Sequence, residues 1–149
     1  MKLRVYLDTS VFSAYYDQRM PERRSLTQAF WLRLDEFDVA TSELTREELT
    51  QTSDPAQRRR LTGLLKGFRL VELTLEMREL AARYLAGGVF SGLMLNDALH
   101  VAAAVLDRQD ILLSWNFRHL VNRRRRAMVN EINISLSLPT IEIVAPPEV

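Results

Sequence analysis

The chain has 149 residues, 47% hydrophobic and 26% charged, with a net charge of +1. This implies one soluble globular domain spanning residues 1–149 and excludes a membrane-spanning chain, since no run of about 18 apolar residues occurs. The absence of cysteine removes disulfides and thiolate zinc sites; with no signal peptide in residues 1–15, the expected location is the cytoplasm.

Leu3–Leu7 reads as a short buried strand that ends on Asp8, and a helix is expected from about Ser10 to Asp17. Pro21 suits the first turn of a second helix with an apolar stripe at Leu26, Phe30, Leu34 and Phe37. Asp38–Thr41 is a second strand, after which Ser42 or Thr45 starts a helix. Asp54-Pro55 pairs an N-cap with a proline at the first helical position, opening a helix to about Lys66. Arg69–Leu73 is a third strand. Thr74 caps a helix to Ala86 that Gly87-Gly88 stops.

Ser91–Asp107 is the most apolar helix, Ile111–Ser114 a fourth strand, Met128–Leu136 a helix and Thr140–Val144 a fifth strand, with Pro146-Pro147 ending the ordered chain. Strands alternating with helices imply a parallel sheet covered on both faces, an α/β architecture. Such sheets bind ligands beyond the carboxyl ends of their strands.

Asp8 falls at such an end. A buried carboxylate is costly without a partner, so Asp8 either caps the next helix or meets groups from elsewhere. Glu43, Glu47 and Gln51 share a polar helical face. Glu48 shares a face with Leu44 and points toward the sheet, unless it closes a capping box on Thr45. Asp97 lies in the first turns of the apolar helix, with His100 as its candidate partner; a satisfied core histidine is the ordinary role for His100. Asn116 falls just past the fourth strand, where asparagine also serves as a turn former. Arg58–Arg60 and Arg123–Arg126 are cationic runs, either solvated helix faces or phosphate contacts if a site lies beside them.

Asp8, Glu48, Asp97 and Asn116 are all hard oxygen donors in a chain with two histidines, a set that suits Mg²⁺ or Mn²⁺ rather than zinc. Clustered carboxylates without a cation would repel one another, and a divalent ion removes that penalty. A haloacid-dehalogenase-type phosphohydrolase wants a second aspartate where Ser10 stands. A nucleotide-binding module wants a glycine-rich loop after a strand, whereas Gly87, Gly88 and Gly92 follow a helix.

The segments Y-L-D-T-S-V-F, T-S-E-L-T-R-E-E-L, N-D-A-L-H-V-A-A-A and D-I-L-L-S-W-N-F-R-H-L resemble the four motifs of PIN-domain proteins. Among those the chain resembles the ribonuclease toxins of VapBC-type toxin–antitoxin pairs. The resemblance covers nearly the whole chain and places the motif acids on Asp8, Glu48 and Asp97. It departs at Asn116, where many members have aspartate. It implies a three-layer α/β/α sandwich with a five-stranded parallel sheet, metal-dependent RNA cleavage and a cognate antitoxin protein; a homodimer is left open. It makes Asp8 and Asp97 direct ligands of Mg²⁺ or Mn²⁺. Glu48 becomes a ligand of a second ion or a base for water, and Asn116 a water-mediated partner. Arg118, His119, Arg123, Arg124, Arg125 and Arg126 become candidate RNA contacts. The rival is a degenerate PIN-like domain that binds RNA or a protein without cleaving, a reading Asn116 keeps open.

Overall fold

The computed structural model describes residues 1–149. Five strands, β1 (Arg4–Leu7), β2 (Asp38–Ser42), β3 (Arg69–Val71), β4 (Ile111–Leu113) and β5 (Glu142–Val144), form one sheet in the order β3-β2-β1-β4-β5. All four pairings are parallel, with Tyr6 opposite Ala40 on one side and Leu112 on the other. β1 is central because its residues are apolar on both faces. Val5, Tyr6 and Leu7 are wholly buried.

The helices are α1 (Thr9–Ala14), α2 (Pro21–Trp31), α3 (Glu43–Thr50), α4 (Pro55–Gly63), α5 (Leu75–Ala86), α6 (Leu95–Leu106) and α7 (Arg123–Ser135). Strand alternation divides the interior in two. Tyr6, Ala40, Leu112 and Ile143 face a core closed by α5, α6 and α7, whereas Val5, Leu7, Ile111 and Leu113 face one closed by α1, α2 and α4. α3 contributes Leu44 to the first core and Leu49 to the second. The result is a three-layer α/β/α sandwich. The chain runs from β1 outward to β3, then returns to the other side of β1 for β4, so the switch point lies between β1 and β4.

Several boundaries differ from the sequence reading. α2 ends at Trp31, and Leu34 falls in a 3₁₀ turn, Leu34–Glu36, so the stripe is not one helical face. α4 stops at Gly63 and β3 at Val71. The apolar helix begins only at Leu95, which is exposed, after a 3₁₀ turn at Gly92–Met94. α7 begins at Arg123 rather than Met128. Asn122 caps it by accepting from Arg125 N at 2.9 Å, and arginine is a good helix former. The chain end is also ordered: Pro146–Glu148 forms a 3₁₀ turn, and Arg33 donates to the Val149 carbonyl at 2.7 Å. At the glycine pair, Gly88 has φ +77°, and a side chain on Gly87 would meet Ile132 of α7 at 2.7 Å.

Candidate active site

Asp8 follows β1 directly and caps α1. Its Oδ1 accepts from Ser10 N at 3.0 Å and Ser10 Oγ at 2.5 Å. Ser10 Oγ in turn accepts from Trp115 N at 2.9 Å and lies 3.3 Å from Ser114 Oγ, which ties the end of β1 to the end of β4. Capping and site membership are therefore not alternatives: one oxygen caps while the carboxylate sits at the switch point. Asp8 is 4% exposed. Burial pushes its pKa up; His100, Ser10 and Ser114 oppose that, and the charge of Asp97 adds to it.

Glu48 is half-buried on α3, while Glu47 is exposed. α3 begins at Glu43, so Thr45 is inside the helix and no capping box on it forms. Thr9 donates to Glu48 Oε1 at 2.6 Å, and His100 Nε2 does so at 2.8 Å. His100 belongs to Glu48, not to Asp97 as the sequence suggests. Its other nitrogen, Nδ1, lies 2.7 Å from the Tyr6 hydroxyl, itself 2.7 Å from Ser42 Oγ. Burial above all raises the Tyr6 pKa, so the phenol keeps its proton. With one proton to give, Tyr6 either donates to Nδ1 or receives from an imidazolium. Nε2–H faces Glu48 in both cases. Burial alone would raise the pKa of Glu48, but the hydrogen bond and charge of His100, with Thr9 and Asn96, bring it below the usual range.

Asp97 occupies the first turn of α6, and its Oδ2 accepts from His119 Nδ1 at 3.0 Å. Asn116 Oδ1 accepts from the His119 backbone N at 3.0 Å, and Asn116 N donates to Ser114 Oγ at 2.9 Å. Asn116 thus forms the turn that brings His119 to Asp97. His119, expected to face phosphate, instead holds a carboxylate. Thr9, Tyr6, Ser42 and Ser114 also belong to the site. None of these four hydroxyl groups is marked as a site residue by the sequence.

The arginine run splits. Arg125 donates to the His119 carbonyl and lies over the Phe90 ring, and Arg126 donates to the Ile143 carbonyl at 3.0 Å. Arg118, Arg123 and Arg124 are exposed.

The donors fit a hard divalent cation. Each carboxylate has one oxygen fixed by hydrogen bonds from the chain. Asp8 Oδ1 is held by Ser10, Asp97 Oδ2 by His119, and Glu48 Oε1 by Thr9 and His100. The second oxygen of Glu48 has only a 3.4 Å contact from Asn96. Carboxylates that bind metal are oriented in this way by hydrogen-bond donors behind them. No lysine or arginine forms an ion pair with any of the three. In this arrangement no three histidine, aspartate or glutamate side chains converge on one point, and Glu48 and Asp97 each pair with a histidine.

A parallel sheet with oxygen donors at its switch point defines a class of α/β domain that works on ligands at its carboxyl edge. The PIN domain family matches residues 5–120, a span that includes Asp8, Glu48, Asp97 and Asn116, and the chain belongs to that family. VapC20 of Mycobacterium tuberculosis, a sarcin–ricin-loop-cleaving toxin, superposes with a TM-score of 0.60 at 17% identity, over 77% of this chain and 92% of that one. VapBC2 from Rickettsia felis, solved with a DNA fragment from its promoter, gives 0.58 at 14% identity over 95% and 97%. VapBC-5 from M. tuberculosis gives 0.59 at 20% identity over 95% and 98%. Among curated proteins no significant match is found.

Proposed function

We propose that the chain is a metal-dependent endoribonuclease, the toxin of a toxin–antitoxin pair acting in the cytoplasm. The observation that carries this is the set of three carboxylates, each with one oxygen held from behind. Membership of the PIN family and the likeness to VapC structures support it. No helix is long and apolar enough to cross a membrane.

Asp8 and Asp97 would hold Mg²⁺ or Mn²⁺ directly, and Glu48 would hold a second ion or orient the attacking water. When bound, the metal lowers the pKa of water to near neutrality and offsets charge on the phosphate. Ser10, Thr9 and His100 fix carboxylate orientation, so reorganisation on binding is small. Asn116 places His119 against Asp97. Arg118, Arg123 and Arg124 have no side-chain partner in the protein and are available to RNA phosphates. A cognate antitoxin would cover this edge.

The rival, a binding domain without cleavage, draws on Asn116: its side-chain oxygen already serves the His119 turn, and it brings no charge. RNA cleavage against metal concentration separates the readings. Asn116→Asp adds a charge at the fourth position, so it should lower the Mn²⁺ concentration for half-maximal cleavage and reduce the melting temperature in EDTA. Absence of metal-dependent cleavage by wild type and Asn116→Asp over a broad RNA panel would favour the binding domain.

A further inference from the structure

A cleft of about 520 Å³ opens beside the site, between α2 and the loop after β4. Its lining includes Ser10, which bonds Asp8, and Asn116, which bonds Ser114 and His119, together with Arg23, Trp115, Phe117 and Arg118. Trp115 is buried and fixed, its Nε1–H donating to Thr27 Oγ1 at 2.9 Å. Phe117 meets it edge-on at 6.1 Å and is 45% exposed. The Arg23 guanidinium lies over both rings, 5.4 Å from the Trp115 centroid and 5.3 Å from that of Phe117.

Arg23 lies over two aromatic faces and within the field of Asp17. Its side chain makes no ion pair and no hydrogen bond, so its N–H groups are positioned and unspent. Asp17, the one acid of the cleft, is already paired with Arg19 at 3.0 Å. A half-exposed aromatic ring beside preorganised guanidinium groups is the chemistry that binds one unpaired nucleotide, the base on the ring and the phosphate on arginine. A second cleft, lined by Arg24 and Arg60, shares Ser13 and Asp17 with the first, and in it Arg60 lies over Tyr16 at 5.7 Å.

We propose that this cleft seats the unpaired nucleotide next to the scissile phosphate of a single-stranded RNA, with the strand continuing over α1 and α2. The proposal rests on the ribonuclease reading of the adjacent site. Phe117 stacks the base, and Arg23 and Arg118 bind the backbone. The cleft volume falls within the range of small-ligand sites, about 300–1,000 Å³.

Fluorescence anisotropy in EDTA tests this without cleavage. The probes are a labelled 12-nucleotide oligouridylate and the same backbone with its bases removed. Base–aromatic stacking is worth about a five- to hundredfold change in affinity. Phe117→Ala should weaken oligouridylate binding about tenfold, leave the salt dependence unchanged and leave the abasic probe unaffected. Arg23→Gln should weaken both probes and lower the salt slope by about 0.7 relative to Arg83→Gln, a matched charge loss on α5. Phe117→Leu replaces Phe117→Ala if melting shows the latter unfolded.

Wild-type affinity in both Phe117→Ala and Arg23→Gln would overturn the proposal and leave the ribonuclease reading standing. Equal loss on the abasic probe in Phe117→Ala would also overturn it. So would variants that keep RNA binding but lose co-purification with the protein of an adjacent reading frame, which would give the cleft to a protein partner. Failure of wild type to bind either probe would overturn the proposal, and the ribonuclease reading would then stand or fall on metal-dependent cleavage.

Discussion

The chain's two histidines each hold one acid of the site, by different means. His100 is 4% exposed and sits in a relay from Ser42 through Tyr6 to Glu48, where Thr9 adds a second donor. His119 is 34% exposed, and its hold on Asp97 is one hydrogen bond at the rim of α6. Glu48 is therefore locked, whereas Asp97 is tethered. Under the proposed metal-dependent reading, Glu48 would keep one orientation, and Asp97, held by one bond, would be the carboxylate that adjusts.

The sharpest break of this comparison is chemical. Asp97→Asn keeps the side-chain shape and the contact with His119 but removes the charge. Cleavage of RNA should fall by several orders of magnitude, while the melting temperature in EDTA stays level or rises. Wild-type rates in Asp97→Asn would give the reaction to other groups.

Next in size are the histidines themselves. His100→Ala removes one hydrogen-bond partner from the Tyr6 hydroxyl and one from Glu48, which keep Ser42 and Thr9, and opens a gap at a buried ring, at a cost of about 1–3 kcal/mol in all. His119→Ala breaks a half-exposed pair and should cost less than about 1 kcal/mol. Urea unfolding measures both, and equal losses would show the two pairs to be equivalent.

The pH dependence of the metal-free protein should carry opposite signs at Asp8 and Glu48. The pKa of Asp8 is raised on folding, so its ionised form costs stability. Asp8→Asn should stabilise most above the folded pKa of Asp8, with the gain vanishing below the unfolded value of about 3.9. The pKa of Glu48 is lowered on folding, so its charge adds stability above the unfolded value of about 4.3, lost as pH falls through the lower folded value. Glu48→Gln should therefore destabilise at neutral pH, and its deficit should close in acid. Melting temperature against pH in EDTA reads both. An effect of the same small size as His119→Ala is expected from Asn116→Ala, which removes one turn hydrogen bond, about 0.5–1.5 kcal/mol, and loosens His119.

How much of this was legible in the sequence follows from what each feature depends on. The five strands and their parallel order follow from local apolar runs broken by helices. The inward phase of Glu48 follows from its sharing a helical face with Leu44, since periodicity is a local property. The histidine partners are not local. His100 lies one turn from Asp97, yet it points into the sheet at Tyr6, while Asp97 meets His119 of another segment. Spacing along one helix does not fix which side chain crosses to the next element. The helix expected from Met128 starts at Arg123, because Asn122 is an N-cap and two of the four arginines turn back onto the protein. The Arg23, Trp115 and Phe117 stack joins α2 to the loop after β4, a meeting that only the fold displays.

The central claim is that Asp8 and its neighbouring carboxylates form a site for a divalent cation. Calorimetric titration of Mn²⁺ into wild type and Asp8→Asn tests it most directly. Saturable binding by wild type, lost or greatly weakened in Asp8→Asn at unchanged fold, is the expected result. No binding by wild type, or equal binding by both proteins, would contradict it.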